Sequence, residues 1–200
     1  GSISFASCGR IKVFVNERNI SPKAYFCNPD STTVFIYTYD ITRFLQPHKN
    51  TIAVWYAPES GREPSKQLSM EYYGYDAKGK YFYHKANGDW KCCILKGCYV
   101  KKEIEAFDAC SYDNQWKSPD FDRSKWLNPL GAYNQSRVNK LINNSFERKL
   151  CTIRHIMTPI DVYRDQKSIY YDFGKVFKGT PRITLREAKR KETINMDGFI

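Results

Sequence analysis

The sequence predicts an all-β chain, an antiparallel jelly-roll-like β-sandwich with short helical turns in its loops. Three observations point there. Aromatic residues make up 16% of the chain, led by 15 Tyr and 12 Phe, and such side chains fit a pleated, half-buried surface. Short apolar runs recur between break points supplied by 11 Gly, 9 Pro and clusters of Asn, Asp and Ser, the punctuation of many short strands. Long amphipathic crossover helices are missing, which argues against a parallel α/β arrangement. With 200 residues the chain can bury a core without staples.

The elements follow in order. A strand pattern is already under way at Ile3. In IKVFV, residues 11–15, Ile11, Val13 and Val15 share one side and Lys12 and Phe14 the other, and Asn16-Glu17-Arg18-Asn19 ends the strand as a polar turn. Segment 20–33, with Pro22, Pro29 and Asp30, reads as a loop, and VFIYTY (34–39) as the next strand. Asp40 precedes ITRFLQ, in which Ile41, Phe44 and Leu45 share one face of a single helical turn. Asp40 is placed to accept amide hydrogen bonds at its start. After Pro47 and Asn50 the strand TIAVWYA (51–57) begins. Period-2 parity predicts that Val13, Val15, Phe35, Tyr37, Ile52 and Val54 point inward.

QLSMEYYGY (67–75) and KYFYH (80–84) flank DAKG as a β-hairpin. Gly88-Asp89 leads to Trp90, which reads as core like Trp55, and to a short strand at 92–95. Further strands are expected at 104–108, 153–157, 159–163, 168–173 and 182–186. QWKSPDFDRSKWLN (115–128) predicts a loop with one helical turn, and VNKLINNSFERKL (138–150) a short helix or a linker. The expected organisation is a sandwich over 1–135, a linker or short helix over 136–152, and strands over 153–200 that complete the sandwich or begin a truncated second module.

The charge is +11, but its Lys and Arg residues are scattered through strand-like segments. That is the pattern of a wet surface, and no nucleic-acid partner is expected. No signal peptide and no apolar run of membrane-spanning length is present. The seven cysteines are Cys8, Cys27, Cys92, Cys93, Cys98, Cys110 and Cys151. Their number is odd, their spacing matches no zinc pattern, and buried free thiols are the favoured reading ahead of one or two disulfides. His48, His84 and His155 lack acidic neighbours at ligand spacing.

Glycosidase chemistry needs two facing carboxylates. Glu103, Glu105, Asp108, Asp113, Asp120 and Asp122 are present, but their spacing sets no such pair, and solvated loop acids are the stronger reading. Asp172-Phe173-Gly174 lacks the glycine-rich loop of a nucleotide site.

The functional signal that remains is aromatic. An indole can cover the C–H face of a sugar while amides and carboxylates take its hydroxyls. Tyr112, Asp113, Asn114, Trp116 and Trp126 combine these chemistries and are the candidate sugar contacts. For Trp116 and Trp126 the stronger reading is packing over the edge of the sandwich. No cofactor is called for; Ca²⁺ is the one ion that the loop carboxylates and carbonyls suit.

The order of segments resembles the β-sandwich modules, similar to galactose-binding jelly rolls, that precede the catalytic barrel in bacterial α-L-rhamnosidases. IKVFVNERNISP resembles their opening strand and asparagine turn, with Asn16 at the turn position. VFIYTYDITRFLQPHKNTIAVW matches best, through Tyr39, Asp40-Ile41-Thr42, Leu45 and Asn50. QLSMEYYGYDAKGKYFYHKANGDWK, IEAFDACSYDNQWKSPDFDRSKW and IYYDFGKVFKGTPRITL follow in the same order. Cys110 and Phe107 depart from the arginine and tyrosine of that pattern, and Val54-Trp55-Tyr56-Ala57 from its Gly-Trp-Tyr. The resemblance implies a structural accessory domain of a glycoside hydrolase, with or without a weak carbohydrate affinity of its own. It also implies a catalytic domain elsewhere in the parent protein as partner, and an extracytoplasmic location. The alternatives are a free-standing carbohydrate-binding module and a protein-interaction domain without ligand. Bacterial origin would make the glycosylation sequons at Asn134 and Asn143 irrelevant.

Overall fold

Side-chain alternation organises the architecture, as the computed structural model shows for residues 1–7, 10–21, 34–57, 68–86, 88–101, 104–108, 110–129, 146–151, 153–183 and 193–196. The strands among them are β1 (Ser2–Ser7), β2 (Arg10–Val15), β3 (Arg18–Asn19), β4 (Val34–Asp40), β5 (Ile52–Ala57), β6 (Leu68–Tyr75), β7 (Tyr81–Lys85), β8 (Cys98–Lys101), β9 (Ile104–Phe107), β10 (Phe146–Cys151), β11 (Asp161–Arg164) and β12 (Ile169–Asp172). One sheet has the order β10-β4-β1-β6-β7, a second the order β3-β2-β5, and β8-β9 and β11-β12 are separate ribbons. The fold is all-β, and among the described residues the pairing is antiparallel except between β10 and β4, which run parallel.

The inward faces of the two larger sheets meet in one core. Ile3 and Phe5 of β1, Tyr39 of β4 and Met70 of β6 pack with Ile11, Val13 and Val15 of β2. Tyr37, Ile52, Val54 and Tyr56 lie half-buried against them. Phe5 stacks between Tyr37 and Tyr39, at centroid distances of 6.0 and 5.4 Å. The expected inward parity therefore holds at Val13, Val15, Tyr37, Ile52 and Val54; the side chain of Phe35 lies outside the described residues.

Asparagines and an aspartate tie the loops down. Asn16 and Glu17 have φ of 48° and 69° and form the two-residue turn between β2 and β3, a conformation that asparagine tolerates well. Asn16 Oδ1 accepts from Thr51 N at 2.9 Å, and its Nδ2 donates to Phe44 O and to Asn50 Oδ1, both at 2.8 Å. Asn50 Oδ1 also accepts from Gln46 N at 2.7 Å. Beyond β4, Asp40 Oδ1 accepts from Thr42 N at 2.9 Å and from Thr42 Oγ1 at 2.6 Å. That starts the 3₁₀ turn Thr42–Phe44, which drives Ile41 and Phe44 into the core.

Several expectations are corrected. Residues 92–95 are not a strand: Cys92 makes a single bridge to Leu127, through backbone bonds of 2.7 and 3.0 Å. The ribbon lies just downstream, at β8. Residues 153–157 are irregular, and the carbonyls of Ile153 and Arg154 accept from Arg43 Nη1, at 2.8 and 3.2 Å. Residues 146–151, assigned above to a helix or linker, form β10, which completes the edge of β4. Residues 182–183 are irregular. Residues 138–145 and 184–186 lie outside the described residues.

Candidate functional site

The β2-β5 sheet carries apolar side chains on both faces. Its far face carries Phe14, Ala53 and Trp55, and the segment 112–126 covers it. The sequence-predicted site residues all lie in that cover. Asp113 N-caps the 3₁₀ turn Asn114–Lys117, accepting from Gln115 N at 2.8 Å. The turn points Trp116 into the sheet, where it meets the ring of Phe14 edge-on at 5.5 Å and is only 5% exposed. Its indole N–H donates to Tyr112 OH at 3.2 Å. Asn114 Oδ1 accepts from Lys117 Nζ.

Lys117 Nζ lies 4.8 Å from the centroid of Phe14, a cation–π contact. Desolvation holds the Lys117 ammonium below its ordinary pKa. Trp126 is half-buried edge-on to Phe121 at 5.8 Å. Arg123 clamps the loop by donating to the carbonyls of Trp116, Ser118 and Phe121 at 2.9, 2.6 and 2.9 Å.

The structure thus brings the five residues together, as one packed cap. Of the two readings of Trp116, packing is the one this geometry supports: Phe14 and Ala53 form an apolar surface, and burying the indole there removes both from water. Asp113, Asn114 and Tyr112 remain at the rim, each with a hydrogen bond inside the cap.

The acids of this region serve their own turns. Asp108 accepts from Cys110 N at 3.0 Å and Ser111 Oγ at 2.6 Å, and Asp122 from Ser124 N at 2.8 Å and Ser124 Oγ at 3.0 Å. These bonds hold both carboxyls below the ordinary aspartate pKa, Ser111 leading for Asp108 and the Ser124 amide for Asp122. Asp120 pairs with Lys49 at 2.9 Å on the surface. Among the described residues no three His, Cys, Asp or Glu side chains converge as a metal site. Cys92, Cys93 and Cys110 carry free thiols, as expected, but they are exposed and not buried. No helix among the described residues is long and apolar enough to cross a membrane.

One concave surface region was not anticipated from sequence. The outer face of the β4-β1-β6-β7 region holds a trough of about 390 Å³. Its lining includes Ser4, Ile36, Ser69, Glu71, Tyr73 and Tyr83. The floor lies on β1, where alternation places the short Ser4 outward. Ser4 Oγ stands 2.8 Å from Thr38 Oγ1 and 3.0 Å from Tyr73 OH. Tyr83 OH donates to Glu71 Oε1 at 2.7 Å, and this bond pushes the phenol pKa up to about 12. Tyr81 and Tyr83 are 54% and 42% exposed, so their rings are available for contact. The available signal was the outward parity of Ser69, Glu71, Tyr73 and Tyr75 along one strand, but their neighbours on β1 and β7 come only from the register.

No protein-family profile and no curated protein matches the chain. Solved structures do. The α-L-rhamnosidase from Dictyoglumus thermophilum matches 87% of this chain with a TM-score of 0.60, at 18% identity. The fold of this chain resembles that of a part of this enzyme. The Streptomyces avermitilis α-L-rhamnosidase, solved in complex with L-rhamnose, matches 66% of the chain with a TM-score of 0.53, at 24% identity. The matched regions are 20% and 14% of those two chains, so this sequence spans a fifth of their length or less. At such identities the likeness establishes a fold, a β-sandwich domain resembling part of these glycoside hydrolases.

Proposed function

We propose that this chain is a non-catalytic accessory unit of an α-L-rhamnosidase-like glycoside hydrolase, packing beside a catalytic domain elsewhere in the same protein and holding carbohydrate weakly. The fold match carries the reading: most of this chain corresponds to a small part of a much longer enzyme. The carboxylates support it, since Asp108, Asp113 and Asp122 are engaged in local turns and Asp120 with Lys49. A hydrolase with carbohydrate outside the cell as substrate would place the chain extracytoplasmically. The test is turnover of aryl α-L-rhamnosides and other aryl glycosides by the purified chain. No release of aryl alcohol above a mock-purified control is expected; turnover would refute the reading. Reading the gene beyond the codon for Ile200 tests the partner, with a glycosidase barrel as the expected product.

A second reading, a protein-interaction domain without ligand, draws on the β11-β12 ribbon. Its Val162, Ile169 and Tyr171 stand 50%, 44% and 57% exposed on one face. Retention of another protein by the intact chain but not by Val162→Asp would favour it.

A further inference from the structure

We propose that the trough on the outer face of the five-stranded sheet is a binding groove for a neutral saccharide, with Tyr83, Glu71 and the Ser4-Tyr73 pair as its contact residues. The inference rests on the carbohydrate part of the function proposed above, and it assigns that affinity to a face opposite the core, away from Trp116.

The chemistry of the groove is what a sugar ring asks for. One side of a pyranose is a patch of C–H groups, and exposed tyrosine rings cover such a patch. Tyr83 and Tyr81 present those rings, and Tyr75 stands edge-on to Tyr81 at 5.6 Å. Sugar hydroxyls both donate and accept. The hydroxyls of Ser4, Thr38 and Tyr73 lie in one chain in which either partner of each bond can donate, so they can rotate to suit a ligand hydroxyl in either role. Glu71 supplies the strong acceptor. Tyr83 OH holds one of its oxygens, which orients the carboxylate, and an ionised carboxylate has acceptor capacity beyond a single bond.

Shape agrees. Short residues on the central strand β1 lower the floor, while tyrosines on β6 and β7 raise one wall and Ile36 on β4 forms part of the lining. About 390 Å³ falls at the small end of ligand pockets and leaves room for a sugar ring. The Glu71 carboxylate in the lining disfavours acidic saccharides. Lys85 Nζ lies 5.7 Å from the Tyr83 centroid, where a cation–π contact steadies the ring.

The experiment is a nitrogen-15 NMR titration of the whole chain with L-rhamnose, D-galactose and neutral plant-wall oligosaccharides up to ~20 mM, a range that covers roughly millimolar dissociation constants. The expected result is amide shifts confined to β1, β6 and β7, with at least a ~10-fold loss of affinity in both Tyr83→Ala and Glu71→Ala and none in Asp113→Ala. Tyr83 and Glu71 lie outside the core, and a native-like spectrum verifies that each variant folds. Binding that survives Tyr83→Ala and Glu71→Ala, with shifts at residues 112–126, would overturn the groove while leaving a carbohydrate-binding unit. Binding restricted to acidic saccharides would overturn the neutral ligand. No shift with any sugar would overturn both the groove and the carbohydrate part of the proposed function.

Discussion

Replacing Trp116 with alanine separates a packing role from a ligand role. The side chain is 5% exposed between Phe14 and Ala53. Truncating a buried aromatic costs about 3–5 kcal/mol. Within that sum the edge-on pair with Phe14, at 5.5 Å, contributes about 0.5–1.5 kcal/mol beyond its area. The indole bond to Tyr112 OH, at 3.2 Å, contributes about 0.5–1.5 kcal/mol. The cluster is small and rimmed by half-buried residues that can collapse into the space, so the low end, about 3 kcal/mol, is expected. For a chain of this size that lowers Tm by about 6–12 °C. Trp116→Phe keeps an edge-on ring and loses the hydrogen bond, for about 1–2 kcal/mol. Urea unfolding followed by far-ultraviolet circular dichroism measures both without relying on tryptophan emission. A Trp116→Ala chain within about 0.5 kcal/mol of wild type would refute the packing argument, and a sugar affinity lost at unchanged stability would restore Trp116 as a platform.

Further perturbations test the joints of the fold. Asn16→Ala removes three side-chain hydrogen bonds and leaves alanine at φ 48°; about 2–4 kcal/mol should be lost in urea unfolding, and Asn16→Gly should recover the backbone share. Asp40→Ala should cost about 1 kcal/mol at neutral pH. The Thr42 hydroxyl and amide hold the Asp40 carboxyl below its ordinary pKa, so the contribution is present above the unfolded value and fades as pH falls through the folded one. Stability curves of wild type and variant should therefore converge in acid, and a gap that persists at low pH would contradict the assignment. Gly97→Ala should cost about 1–3 kcal/mol in a thermal scan, because φ is +69° and a Cβ would stand 2.7 Å from Tyr112 N and 2.9 Å from Asp108 O.

Local sequence decided that the strongly alternating segments are strands and where several of them turn. In IKVFV and TIAVWYA the period-2 pattern is a property of the backbone itself, so it survives any arrangement of neighbours. Asp40, Asn16 and Asn50 act on atoms within their own loops or the next one, and their residue types point to turns before any contact is known. Neighbours are another matter. β10 joins β4 in parallel across more than a hundred residues, and a parallel partner leaves no hairpin signal near either strand. The irregular run at 153–157 meets Arg43, equally remote in sequence. Trp116 is buried because the second face of the β2-β5 sheet also carries apolar side chains, and its Phe14 and Ala53 look like ordinary alternate positions until a cover arrives. The groove on the opposite side of the molecule exists only in register, where Ser4 lies between Thr38 and Glu71. Periodicity is written residue by residue, whereas strand order follows from burying the apolar faces and completing the hydrogen-bonded ladders of the whole chain at once.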